Sequence, residues 1–84
     1  MSKFAKLFEL PEQEQVLLTI GKDEETGEPS LFVETDIEGF DFTVTFLFNS
    51  GEKAKKALEN YTLERAIKFR EEMMRVFADK LTNQ

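Results

Sequence analysis

A change of hydrophobic period near residue 49 constrains this chain more than any other feature. Ahead of it, apolar residues alternate: Val16, Leu18 and Ile20; then Leu31, Val33 and Ile37 with Thr35 between; then Phe40, Phe42, Val44, Phe46 and Phe48 in the run GFDFTVTFLF. Period two in Val, Ile, Thr and Phe is the pattern of strands whose two faces meet different surroundings. Beyond Asn49 the spacing becomes helical, first at Ala54, Ala57, Leu58 and Tyr61, then at Leu63, Ala66, Ile67, Met73, Met74, Phe77 and Leu81. Strands followed by helices within 84 residues predict a single α+β domain spanning residues 1–84. The expected plan is an antiparallel β-meander of three to four strands over about 3–48. Two C-terminal helices, about 50–60 and 63–80, then pack on one face of the sheet.

Turn chemistry supports the same plan. KDEETGEPS separates the first two alternating runs and reads as a hairpin loop, with Gly27 available for positive φ and Pro29 at a strand entrance. Glu38-Gly39 suits a two-residue turn. Phe4 to Leu10 fits either a helical turn on Phe4, Leu7 and Phe8 or a strand pairing with residues 14–21; the strand is the expectation, and Pro11 ends the segment either way. Asn49 or Ser50 caps the first helix and Thr62 the second.

The Glu38-Gly39 turn also sets a register. Ile37 falls opposite Phe40, Thr35 opposite Phe42, Val33 opposite Val44 and Leu31 opposite Phe46, so every apolar row meets an apolar row. A small domain needs nearly all its large apolar side chains inside, so the Phe row is expected to be the central strip beneath the helices. On that footing Phe42→Ala or Phe46→Ala should cost ~3 to 5 kcal/mol. The opposite face carries like charges, with Asp36 facing Asp41, Glu34 beside them and Glu38 in the adjoining turn. Such opposition destabilises a sheet unless the side chains splay into water or a cation, such as a partner's Lys or Arg, lies over them.

Charge is unevenly placed. Through Asn49 three Lys stand against eleven acids, net −8; from Ser50 onward eight Lys or Arg stand against six acids, net +2. Direct binding to nucleic acid or to an anionic membrane is disfavoured, because phosphate recognition rests on clustered cations. The chain has no Cys and no His, which removes disulfides, thiol nucleophiles, the usual neutral-pH general base and the common zinc sites. DEETGE lacks the spacing of a calcium loop, and no phosphate-cradling glycine motif occurs. No enzyme activity, cofactor or metal is expected. Nor is there a signal-like apolar run or a stretch near the ~20 apolar residues of a membrane span, so the expectation is a cytoplasmic protein.

Two positions on the second helix stand out. Arg70 lies within the apolar stripe, where an Arg lays its stem on apolar surface and carries its head to an edge or a carboxylate. Phe69 and Val76 flank the stripe and either widen the buried face or form an exposed apolar strip. The candidate partner-binding residues are therefore Glu34, Asp36, Glu38, Asp41, Phe69 and Val76. They suggest a non-enzymatic, acidic protein-binding or accessory module, acting as a homodimer or as an adaptor to a basic partner. The alternative is an acidic inhibitor of a nucleic-acid-binding protein, DNA-mimic or anti-CRISPR-like; a carboxylate-based hydrolase is the remote third. An acidic meander followed by helices resembles small phage and bacterial accessory proteins, a likeness of plan alone.

Overall fold

The computed structural model describes residues 4–82. Four strands, β1 (Ala5–Glu9), β2 (Gln15–Lys22), β3 (Pro29–Ile37) and β4 (Phe40–Leu47), form one antiparallel sheet in chain order, and α1 (Gly51–Asn60) and α2 (Leu63–Thr82) follow. The α+β meander anticipated from the period change is therefore present. The ambiguous N-terminal segment is a strand, paired Phe8 to Val16 and Ala5 to Thr19. Its anticipated start at residue 3 lies outside the described residues.

Local chemistry explains each connection. Asp23 organises the β2–β3 loop: its Oδ2 accepts from the backbone N–H of Glu25 and Thr26, and Gly27, at φ 74°, donates its N–H to the Asp23 carbonyl. The β3–β4 turn is Glu38-Gly39 with both residues at positive φ, 55° and 83°, the conformation whose twist matches a two-residue hairpin. It produces the register that parity required, Ile37 opposite Phe40 through Leu31 opposite Phe46. Ser50 Oγ caps α1 by accepting from the Lys53 N–H at 3.3 Å, and Thr62 Oγ1 accepts from the Arg65 N–H at 3.2 Å at the start of α2.

The core lies between the helices and the two central strands. Leu10, Val16, Leu18, Leu31, Val33, Leu58, Ala66 and Phe69 form its buried cluster, with Ile20, Val44, Phe48, Met73 and others packed around it. α1 lies over β2 and β3, and α2 over β3. Coverage thins out towards β4, and this corrects the expectation for the Phe row. The row does face the helices, but Phe40 is 60% exposed and Phe46 45%. As an edge strand β4 has neighbours on one side only, and the helices centre on the strands behind it.

The stripe of α2 also differs from its sequence reading. Ala66, Phe69 and Arg70 are buried and Met73 and Phe77 half-buried, whereas Leu63, Met74 and Leu81 are exposed. Spacings of three, one, three and four along 66, 69, 70, 73 and 77 trace a face turned slightly from the one that the most apolar residues suggested. Phe77 reaches the margin of the sheet, its ring 5.6 Å from that of Phe40 and 6.0 Å, edge-on, from that of Phe42.

Candidate functional site

The anticipated acidic residues belong to the sheet face that no helix covers. Glu34 pairs with Thr43 on one side and Leu17 on the other, and Asp36 pairs with Asp41. Leu7 lies beyond Leu17 in the same row. Leu7, Gln15, Leu17, Glu34, Asp36 and Asp41 line a shallow hollow of ≈ 180 Å³. The sequence reading had not placed Leu7 and Leu17 beside the acids, because the β1–β2 register was open until the strand itself was certain. Phe32 also lies on this face. Its ring crosses Gly21, where an added Cβ would stand 3.0 Å from Phe32 Cε2, so the missing side chain gives the ring its place.

The alternating hairpins bring the β1–β2 and β3–β4 turns to one end of the sheet. Glu12 and Glu38 occupy those turns, Glu12 at φ 65° and Glu38 at φ 55°. A residue with a Cβ is strained in this region by about 1–2 kcal/mol, and Asn or Gly is the usual occupant. The acidic end of the sheet thus gathers Glu9, Glu12, Glu14, Asp36, Glu38 and Asp41. Among the described residues, no group of three or more acids is placed to hold a metal ion.

Arg70 enters this end from beneath. Its Nη2 lies 3.0 Å from Glu14 Oε2, and Nη1 donates to Thr35 Oγ1 at 2.6 Å and to the Asp36 carbonyl at 2.7 Å. Thr35 in turn donates to the Gln15 carbonyl at 2.9 Å. The Arg head rests on a carboxylate, as its place in the stripe suggested, and the network ties α2 to β2 and β3. Nε has no partner among the described atoms. The carboxylate is Glu14, which leaves Asp36 and Asp41 facing water with their side chains unpaired by Arg70.

Phe69 and Val76 part company. Phe69 is 8% exposed and belongs to the core, so it widens the buried face; Val76 is 39% exposed. The larger apolar surface was missed by the sequence reading: Phe40, Phe46 and Leu47 on β4 are each 45% exposed or more. Its signal was present in the strand order of a simple meander, which leaves the last strand at an edge.

The opposite margin is closed. Lys6 Nζ donates to the Tyr61 carbonyl at 2.9 Å and to the Glu59 carbonyl at 3.3 Å, meeting the end of α1 where carbonyls lack helical partners. Phe8 packs on Tyr61 with ring centroids 6.0 Å apart. Burial pushes the Tyr61 phenol above its ordinary 10.0; Arg65 opposes the shift and Glu72 adds to it. No helix among the described residues is long and apolar enough to cross a membrane. No protein-family model matches the chain, and neither a curated protein nor a solved structure gives a match.

Proposed function

We propose that this chain is a non-enzymatic protein-binding module, working as a homodimer or as an adaptor. The observation that carries the reading is the apolar margin made by Phe40, Phe46 and Leu47 on β4, extended by Phe77 of α2 against Phe40 and Phe42. A small domain gains most by burying such side chains, and exposed aromatics rimmed by polar residues are the usual anchors of a protein interface. The acidic end beside Phe40 supplies a polar rim, which favours partners that set neutral or cationic residues over it.

The test is a comparison of the wild-type chain with Phe40→Asp/Phe46→Asp, first for self-association and then as bait in cells of the source. Phe40 is mostly exposed and Phe46 nearly half so, and a thermal melt of the variant checks that it folds. Loss of self-association or of the specific bound protein in the variant supports the reading. It fails when the variant keeps every interaction of the wild type, or when the wild type has none.

One observation favours the second reading, an acidic inhibitor seated in the groove of a nucleic-acid-binding protein: Glu34, Asp36 and Asp41 share one open face. Lys53, Lys55 and Lys56 on α1 weigh against a uniformly phosphate-like surface. That reading requires competition with DNA or RNA for a basic protein, weakening as salt rises.

A further inference from the structure

We infer that the partner of the apolar margin is a second copy of this chain, joined by antiparallel pairing of β4 with β4 about a two-fold axis through Val44. The inference rests on the protein-binding reading and names its partner.

Hydrogen-bond parity permits the joint. The Phe48 N–H donates to the Pro29 carbonyl at 2.9 Å, which continues the β3–β4 register by one residue. In an antiparallel ladder the bonded pairs alternate, so even-numbered residues of β4 bond to β3, while Asp41, Thr43, Thr45 and Leu47 aim their N–H and C=O groups outward. Those groups have no hydrogen-bond partner among the described residues. A two-fold at Val44 matches Thr43 with Thr45 and Asp41 with Leu47 of the second copy. All are outward-bonding residues, and Val44 meets its own copy at a position that needs no bond.

The side chains fit the same axis. Read from Val44 in either direction, the helix-facing row is Phe, Phe: Phe42 and Phe40 one way, Phe46 and Phe48 the other. Self-pairing therefore sets Phe42 against Phe46 and Phe40 against Phe48 of the second copy, aromatic on aromatic at positions where side chains stand closest. Thr meets Thr on the outer face. Asp41 is the only charged residue of β4, and this register places it against Leu47 rather than against another Asp41. Two strongly acidic chains thus avoid a like-charge contact in the seam itself.

Size is adequate for a reversible dimer. Phe40 and Phe46 together expose about one whole phenylalanine, roughly 200 Å² per copy. With Leu47, the strand backbone and the second copy, the buried total reaches the order of 1,000 Å², the lower bound for a specific interface. A two-fold joint uses the same edge of both copies, so pairing through β4 closes at two.

The experiment is sedimentation of the purified chain over a wide concentration range, with amide exchange read residue by residue. Wild type should dimerise, and the Thr43 and Thr45 amides should slow as concentration rises. Thr43→Lys/Thr45→Lys puts ammonium groups face to face across the joint and should weaken the dimer about tenfold or more. Thr43→Lys/Thr45→Glu puts opposite charges there and should restore it to within about threefold. Both positions are exposed, and matched thermal melts of the dilute monomers show that the variants fold. A wild type that stays monomeric, or a dimer equally tight with both lysines, overturns self-pairing. A monomer that still captures another protein through Phe40 and Phe46 overturns this inference alone and leaves the protein-binding reading standing.

Discussion

β1 and β4 are both edges of the same sheet, but one is five residues long and tied down while the other is eight residues long and bare. Lys6 on β1 reaches the open carbonyls at the end of α1, Phe8 lies under Tyr61, and Pro11 stops the strand from growing. β4 has no Lys, no Pro and no bulge, and its one charge is Asp41. Proteins blunt exposed edges because unpaired backbone groups recruit other strands. The difference teaches that the unguarded edge was not simply left over: the same chain protects one margin by several devices and the other by almost none.

The largest expected effect checks where the core ends. Leu18→Ala, at a side chain with no exposed surface on β2, should cost ~2–5 kcal/mol. Phe46→Ala on β4 should cost under ~1.5 kcal/mol in dilute monomer, less than its aromatic size alone would give, because nearly half of the ring is already in water. Urea unfolding of both variants reads the contrast. Equal losses would mean that the β4 margin is as well packed as the centre, and the comparison of the edges would break.

Next comes the tie between the turn at the acidic end and α2. Glu14→Ala removes the partner of the Arg70 guanidinium, whose remaining bonds go to Thr35 and the Asp36 carbonyl. Leaving a largely buried cation short of its carboxylate should cost roughly 1–3 kcal/mol, below the value for a fully buried pair because Glu14 is partly in water. An Arg70→Met variant separates charge from packing: it should lose less than Glu14→Ala if burial of the charge is the main expense.

The parts of this fold that were legible in the sequence are those decided by parity and by local hydrogen bonds. The Ile37–Phe40 register followed from a two-residue turn, and Ser50 and Thr62 cap the helices through bonds to residues three positions on. Lateral coverage was not legible. Alternation tells which face of β4 meets the helices but not how far the helices extend across the sheet, so Phe40 and Phe46 were read as core. The phase of α2 was missed for a related reason. Apolar residues surround enough of the helix to permit two adjoining faces, and the choice turned on Arg70, which goes inside because Glu14, Thr35 and the Asp36 carbonyl await it there. The acidic residues were placed correctly relative to one another, but pairing partners in sequence say nothing about what binds over them.

Closing of the β1 edge predicts a smaller loss. Lys6→Met keeps the apolar stem and removes the donor to the Tyr61 and Glu59 carbonyls, at a cost of about 0.5–1.5 kcal/mol. The same corner gives a pH signature. The folded Tyr61 phenol, raised by burial, holds its proton to higher pH than the unfolded one. Its contribution is complete below the unfolded value near 10.0 and is lost as pH rises through the folded value. Melting temperatures should therefore fall in alkali, and Tyr61→Phe should flatten that fall; an unchanged profile in the variant would remove Tyr61 from the account of this edge.

The smallest effect concerns Asp41, the only electrostatic guard on β4. It faces Asp36 across a pair that makes no backbone bonds, where side chains lie closest, so Asp41→Asn should stabilise the monomer by a few tenths of a kcal/mol up to about 1. The same change removes a charge from each of two chains that carry net −6, so self-association should tighten. Salt sharpens the distinction between partners: two acidic copies repel at long range, so added salt should favour the dimer, whereas a complex with a basic protein should weaken as its attractive charges are screened. Equilibrium unfolding gives the first effect and sedimentation at low and high salt the second. If Asp41→Asn destabilised the monomer, the carboxylate would have to be making a favourable contact within the fold, and β4 would carry a better guard than its sequence of alternating Phe and Thr provides.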